Sequence, residues 1–268
     1  MAKINDLNLS NWKEYEDVLT DSLWIMGARD KSGAHTGEYH GNFIPQIPNQ
    51  LMRRFTKKGD VVLDPFLGSG TTLIECRRLG RNGIGIELVP EIVRKAKNQI
   101  KKELQLNGKV FMDILVGDST REEAKSAVIE TLKKHNRKDI QLVVMHPPYH
   151  DIIKFSNKAE DLSNAKTVED FTKKFGMAVN NFTDLLERKH HLAIVIGDKY
   201  ANSEWVPLGF YLMQEAMKNN NLKLKSILVK NMVGNRAKRN QEHLWRYRAL
   251  VGGFYIFKHE YILLFQKI

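Results

Sequence analysis

One cysteine, Cys76, serves the whole 268-residue chain, so there is no partner for an internal disulfide and no thiolate set for a metal site. Its place in an apolar, helix-like stretch marks it as a small buried side chain. No apolar run approaches the roughly 20 residues of a bilayer-spanning helix. The opening MAKINDLNLS has no signal-peptide core either, and the expected location is cytoplasmic, with no membrane partner. Repeats and low-complexity tracts are lacking, and the prolines number only seven, too few to build linkers. Acid is in deficit: 31 Asp and Glu face 42 Lys and Arg, a formal charge of +11 that favours a polyanionic partner. With 42% hydrophobic residues the chain can bury one sizeable core. A single domain over 1–268 is expected, entered through an N-terminal arm over 1–50.

What is present alternates. Residues 11–26 space apolar side chains at helical intervals, and a polar, glycine-rich loop follows. DVVL at 60–63 reads as a buried strand, followed by a glycine turn, a helix over 72–79 and the strand GIGIEL. Helices over 90–106, 121–135 and 168–188 then precede the strands ILVG, QLVVM and LAIVIG, and YILLFQKI reads as a terminal strand. This alternation predicts an α/β fold with a doubly wound, mostly parallel Rossmann-like sheet. His190 and His191, just before LAIVIG, are expected in a loop, and no Cys/His spacing points to a metal.

Two constellations carry chemistry. Asp64-Pro65-Phe66-Leu67-Gly68-Ser69-Gly70-Thr71-Thr72 lies between a strand and a helix, where glycines admit a ligand to the backbone and the helix start offers free N–H groups. A plain tight turn is the competing reading. Glu87 ends the next strand, where doubly wound folds place an acid against ribose hydroxyls, and Asp118 follows the third. A solvated carboxylate and a helix N-cap are the blander alternatives for these two. His146-Pro147-Pro148-Tyr149 directly follows QLVVM. Paired prolines make a stiff loop whose carbonyls can face an amine, and Tyr149 offers a flat face to a base.

DPFLGSGTT followed downstream by a motif ending in PPY resembles the DNA amino-methyltransferases, which make N6-methyladenine or N4-methylcytosine. The stretch His40-Gly41-Asn42-Phe43-Ile44-Pro45-Gln46-Ile47-Pro48 is similar to that family's additional cofactor motif, and GDKY, VPLG and HEYILLF resemble its later segments. The resemblance covers roughly residues 20–268 and implies a class I methyltransferase fold with S-adenosylmethionine as cofactor. It places cofactor binding on Asn42, Phe43, Pro45, Asp64, Phe66, Gly68, Ser69, Gly70, Thr71, Glu87, Leu88, Asp118 and Ser119. Catalysis falls on His146, Pro147, Pro148 and Tyr149. The cofactor motif precedes PPY with no room for a recognition domain between them, so residues 230–256 are the candidate DNA-recognition loop. There Lys230, Arg236, Lys238, Arg239, Arg246 and Arg248 interleave with Trp245 and Tyr247, and Lys154 follows PPY. A solvated basic loop packing its aromatics on the core is the alternative.

One departure concerns the residue before PPY, which in the family is Asp, Asn or Ser and here is His146. Asp and Asn go mainly with adenine and Ser with cytosine. A neutral imidazole can accept a hydrogen bond from an amine, which leaves the base open with adenine preferred. The expected partner is double-stranded DNA with its base flipped. A cognate restriction endonuclease and a second copy of the chain are further candidates. An RNA or tRNA amino-methyltransferase and a non-catalytic DNA-binding relative are the rival readings.

Overall fold

Successive residues of the central strands point to opposite sides of the sheet, and here both sides are buried. The computed structural model describes residues 3–37, 39, 41–105, 108–232 and 242–268. In the strand Ile140–Met145 (β5), Val143 and Met145 join one apolar cluster while Leu142 and Val144 join another. That double burial is why VVL, QLVVM and LAIVI read as unbroken apolar runs.

The parallel part of the sheet comprises β2 (Val61–Asp64), β3 (Asn82–Glu87), β4 (Met112–Val116), β5 and β6 (Leu186–Ile196). Two further strands, β9 (Leu222–Asn231) and β10 (His259–Lys267), extend it, β1 (Leu23–Trp24) forms the far edge, and β7 (Lys199–Ala201) and β8 (Glu204–Val206) pair apart from it. The order is β4-β3-β2-β5-β6-β10-β9-β1, with β10 antiparallel to both neighbours and every other pairing parallel. The fold is the Rossmann-like class I methyltransferase arrangement. Chain order reverses between β2 and β5, and at such a switch point a crevice opens beyond the strand C-termini.

Helices cover both faces. On one, α4 (Glu122–Lys134), α5 (Val168–Thr183) and α6 (Leu208–Met217) supply Val128, Phe171, Phe175, Phe182 and Leu212 to the larger cluster. On the other, α1 (Gln46–Phe55) supplies Ile47, Leu51 and Met52, packed with Trp24 and Cys76. Cys76 lies on α2 (Thr71–Leu79), and Ile74 of that helix packs with Val93, Ala96 and Ile100 of α3 (Pro90–Lys101). No helix among the described residues is long and apolar enough to cross a membrane.

Several expectations are corrected. Residues 11–26 form no α-helix: a 3-10 stretch, Leu9–Tyr15, buries none of its side chains, and Trp24 instead enters β1. A short helix without an apolar contact to pack against has little to hold it. The arm is therefore joined to the core, since β1 pairs with β9 and Trp24 is 1% exposed. His190 and His191 sit inside β6 rather than in a loop. Burial against the Phe55 ring, 4.3 Å away, pushes the His191 imidazole down to about 4. The helix expected over 168–188 stops at Thr183, and β6 starts at Leu186.

Candidate active site

Four strand C-termini open onto one cleft of about 770 Å³, its solvent-filled mouth included. From β2 come Pro65, Phe66, Leu67 and Gly68; from β3, Glu87 and Leu88; from beyond β4, Asp118 and Ser119; from β5, His146, Pro147 and Pro148. Tyr39, Asn42 and Phe43 close it from the arm, and Phe155 and Asp161 from the loop after β5. The arm is braced by Arg29, whose Nη1 donates to the Phe43 carbonyl at 2.9 Å, and by the Asn42 amide donating to the Ser69 hydroxyl.

The loop after β2 is shaped by the acid that precedes it. Asp64 is buried; its carboxylate accepts the Phe66 N–H at 2.9 Å and the Thr72 hydroxyl, and burial pushes it up to about 7. Gly68 lies at φ +53° on the cleft wall, where an added Cβ would come within 3.1 Å of the Tyr39 ring. Gly70, at φ +94°, caps α2, where an added Cβ would press on Ile100 at 2.9 Å. Both positions call for glycine, one beside the ligand space and one against α3.

Glu87 reaches across to this loop. Its Oε2 accepts the Gly68 N–H at 3.0 Å and its Oε1 accepts the Val89 N–H at 2.9 Å. Burial raises its pKa. Each oxygen keeps a second lone pair for a hydroxyl. The described lining holds four carboxylates, Glu87, Asp118, Glu160 and Asp161, and no lysine or arginine. Lys158 stands nearby with its ammonium on the Leu88 carbonyl at 2.8 Å. Such an acceptor-rich lining fits a ligand that presents ribose hydroxyls and positive charge, as S-adenosylmethionine does.

On the other side of the cleft, the His146 ring stands edge-on to Phe43 at 4.8 Å and to Tyr149 at 5.5 Å. His146 Nε2 is 3.2 Å from the Tyr149 hydroxyl, which donates to Glu260 Oε2 at 3.0 Å. Burial pushes the imidazole down to about 4, so it is neutral at physiological pH.

A family model described as "RMKL-like, methyltransferase domain" matches residues 51–185, half of the chain, and one described as "DNA methylase" matches residues 3–98. The chain belongs to the methyltransferase-domain family that the first of these models describes, and over its first third it is similar to the DNA amino-methyltransferases. It is 34% identical over 125 residues to the type II methyltransferase M.MjaII of Methanocaldococcus jannaschii, covering 42% of this chain and 23% of that protein. It is 35% identical over 103 residues to M2.DpnII of Streptococcus pneumoniae, covering 37% of this chain and 35% of that one. The matched part thus spans about a quarter to a third of these relatives. Among solved structures, the precorrin 8W decarboxylase of Methanobacterium thermoautotrophicum shares the fold at a TM-score of 0.51 and 12% identity, over 90% of this chain and all of that one.

The methyltransferase brings most of the expected cofactor residues to one cleft. Asn42, Phe43, Phe66, Gly68, Glu87, Leu88, Asp118 and Ser119 line it, with His146, Pro147 and Pro148 opposite. Pro45, Asp64, Ser69, Gly70, Thr71 and Tyr149 stand outside the lining. Pro45 caps α1, and Asp64, Ser69 and Gly70 hold the shape of the loop or arm. Tyr39, Phe155 and Asp161 border the cleft without any motif to announce them.

Lys230 requires a correction. Expected to hold a phosphate, it is 5% exposed and donates to Glu260 Oε1 at 2.8 Å, so its charge is committed inside the protein. Arg236, Lys238 and Arg239 lie outside the described residues. Lys154, Arg246 and Arg248 are exposed, and the Arg248 guanidinium lies 5.4 Å from the Trp245 ring in α7 (Glu242–Gly252). Because β9 runs parallel in sense to β6, the excursion between β9 and β10 leaves from the sheet edge that carries the cleft.

Proposed function

We propose that the protein transfers a methyl group from S-adenosylmethionine to the exocyclic amino group of a flipped base in double-stranded DNA, N6 of adenine or N4 of cytosine, with adenine preferred. The observation that carries this reading is the single cleft whose one wall is acidic and glycine-turned and whose other wall is His146-Pro147-Pro148. Bound S-adenosylmethionine supplies a methyl group activated on a sulfonium. Glu87 holds ribose hydroxyls, Gly68 lets the backbone approach, and Phe43 and Phe66 cover apolar parts of the cofactor. His146 and the carbonyls of the proline loop orient the amine, and Tyr149 is the aromatic face assigned to the base. The work of these groups is positional. An amine stacked inside a duplex cannot reach such a cleft, which supports extrusion of the base. The type II designation of the relatives supports a cognate restriction endonuclease as cellular partner.

Sequencing DNA from a host that expresses the chain and lacks its own amino-methylation tests the reading. Methylated adenine or cytosine amines at a defined site are expected, and DNA unmodified at both bases would contradict it.

Exposed Arg246 and Arg248 are the described cations of the recognition segment best placed to meet phosphates. Replacing both with alanine should flatten the plot of log affinity against log salt by about 1.8, at about 0.9 per lost contact. A slope equal to that of the wild type would place the DNA elsewhere on the surface.

A further inference from the structure

The His146 ring has two nitrogens, and the protein engages one. Nε2 faces the Tyr149 hydroxyl at 3.2 Å, and no described residue hydrogen-bonds Nδ1. A phenol carries a single proton, and that of Tyr149 goes to Glu260 Oε2 at 3.0 Å. With this proton committed, the Tyr149 oxygen can only accept from His146. Nε2 must then carry the hydrogen, and the lone pair is left on Nδ1 of a ring that lines the cleft.

Glu260 is held firmly enough to impose this order. It is 6% exposed, and its other oxygen takes the Lys230 ammonium at 2.8 Å. The two residues are direct cross-strand partners in the β9–β10 register, so the pair is built into the sheet. A buried carboxylate anchored on one side by a cation presents only acceptors to the hydroxyl on the other.

We infer that Glu260 is a positioning residue of the methyl-transfer site: acting through the Tyr149 hydroxyl, it fixes His146 as the Nε2–H tautomer and keeps Nδ1 as the acceptor for the target amine. This rests on the reading of His146 as the residue that orients the amine. It also gives Lys230 a purpose at the site, that of holding Glu260 in place.

Glu260→Gln tests the chain of donors. Lys230 would keep the amide oxygen, so the amide nitrogen would donate to Tyr149, whose proton would turn to His146 Nε2. The ring would then carry its hydrogen on Nδ1 and present a donor to the amine. Nitrogen NMR of the full chain labelled at histidine should show Nδ1 unprotonated in the wild type and protonated in Glu260→Gln. The turnover of that variant should fall by about a hundredfold or more, with the KM for S-adenosylmethionine little changed. In a Tyr149→Phe background, Glu260→Gln should add no further loss, since Glu260 acts only through the hydroxyl. Tyr149→Phe alone removes no charge and should leave both tautomers populated, which keeps the test open should Glu260→Gln fold poorly. An unchanged tautomer in either variant, or losses that multiply in the double variant, would overturn the inference. The NMR result is independent of activity, so a chain that methylates no DNA would sink the functional reading while leaving the tautomer question separately answered.

Discussion

His146→Ala should bind S-adenosylmethionine almost as the wild type does while turning over about a hundredfold more slowly or worse, because orientation of the amine is lost chiefly in the reacting complex. His146→Asn should retain more activity than His146→Ala, since an amide oxygen restores an acceptor in a similar place. With His146 as the acceptor for the amine, the neutral ring would be the working form, and burial holds its pKa near 4 rather than near 6.5. Protonation removes the acceptor, so the rate at saturating cofactor should stay level through the neutral range and fall only as the pH drops through about 4. Glu260 opposes this downward shift and Lys230 reinforces it. The acid fall should weaken in His146→Asn. A His146→Ala enzyme with the wild-type rate and pH profile would reduce the histidine to a scaffold, leaving the proline-loop carbonyls to orient the amine.

Glu87→Ala should act on the opposite wall and with the opposite signature. The carboxylate holds the Gly68 and Val89 N–H groups and in the proposed role takes ribose hydroxyls, so its loss would remove ligand contacts and untie the loop that shapes the cleft. Two lost hydrogen bonds to a charged group, each worth about 1.5–3 kcal/mol, correspond to a loss of cofactor affinity on the order of a hundredfold or more. Glu87→Gln keeps one acceptor oxygen and should fall between. Calorimetric titration with S-adenosylmethionine reads this directly, and unchanged affinity in Glu87→Ala would remove the cofactor from this cleft.

The parts of this site that sequence reasoning reached are those whose signals are local. Glu87, Asp118 and His146 each follow an apolar run that could only be a buried strand, and strand ends in a doubly wound sheet meet at one edge. The parts it missed depend on long-range register or on weak patterns. LKLKSILVKN alternates between buried and exposed residues and so lacks the unbroken apolar signature of its neighbours, yet it forms β9. Without β9, nothing in the sequence pairs Lys230 with Glu260, thirty residues on, and Lys230 reads as one more cation in a basic segment. Phe155 and Asp161 come to the cleft on a loop that carries no motif. Residues 11–26 misled for the converse reason: helical spacing of apolar residues means little where, as along Leu9–Tyr15, no packed face takes them up.

Methyl transfer to a DNA base amine can be read by incubating the chain with labelled S-adenosylmethionine and either duplex DNA or tRNA, then resolving the digested nucleosides. Label should enter duplex DNA as N6-methyladenine or N4-methylcytosine, abolished by Glu87→Ala and strongly reduced by His146→Ala. Label confined to tRNA, or none in either acid under conditions where cofactor binds, would contradict methyl transfer to DNA.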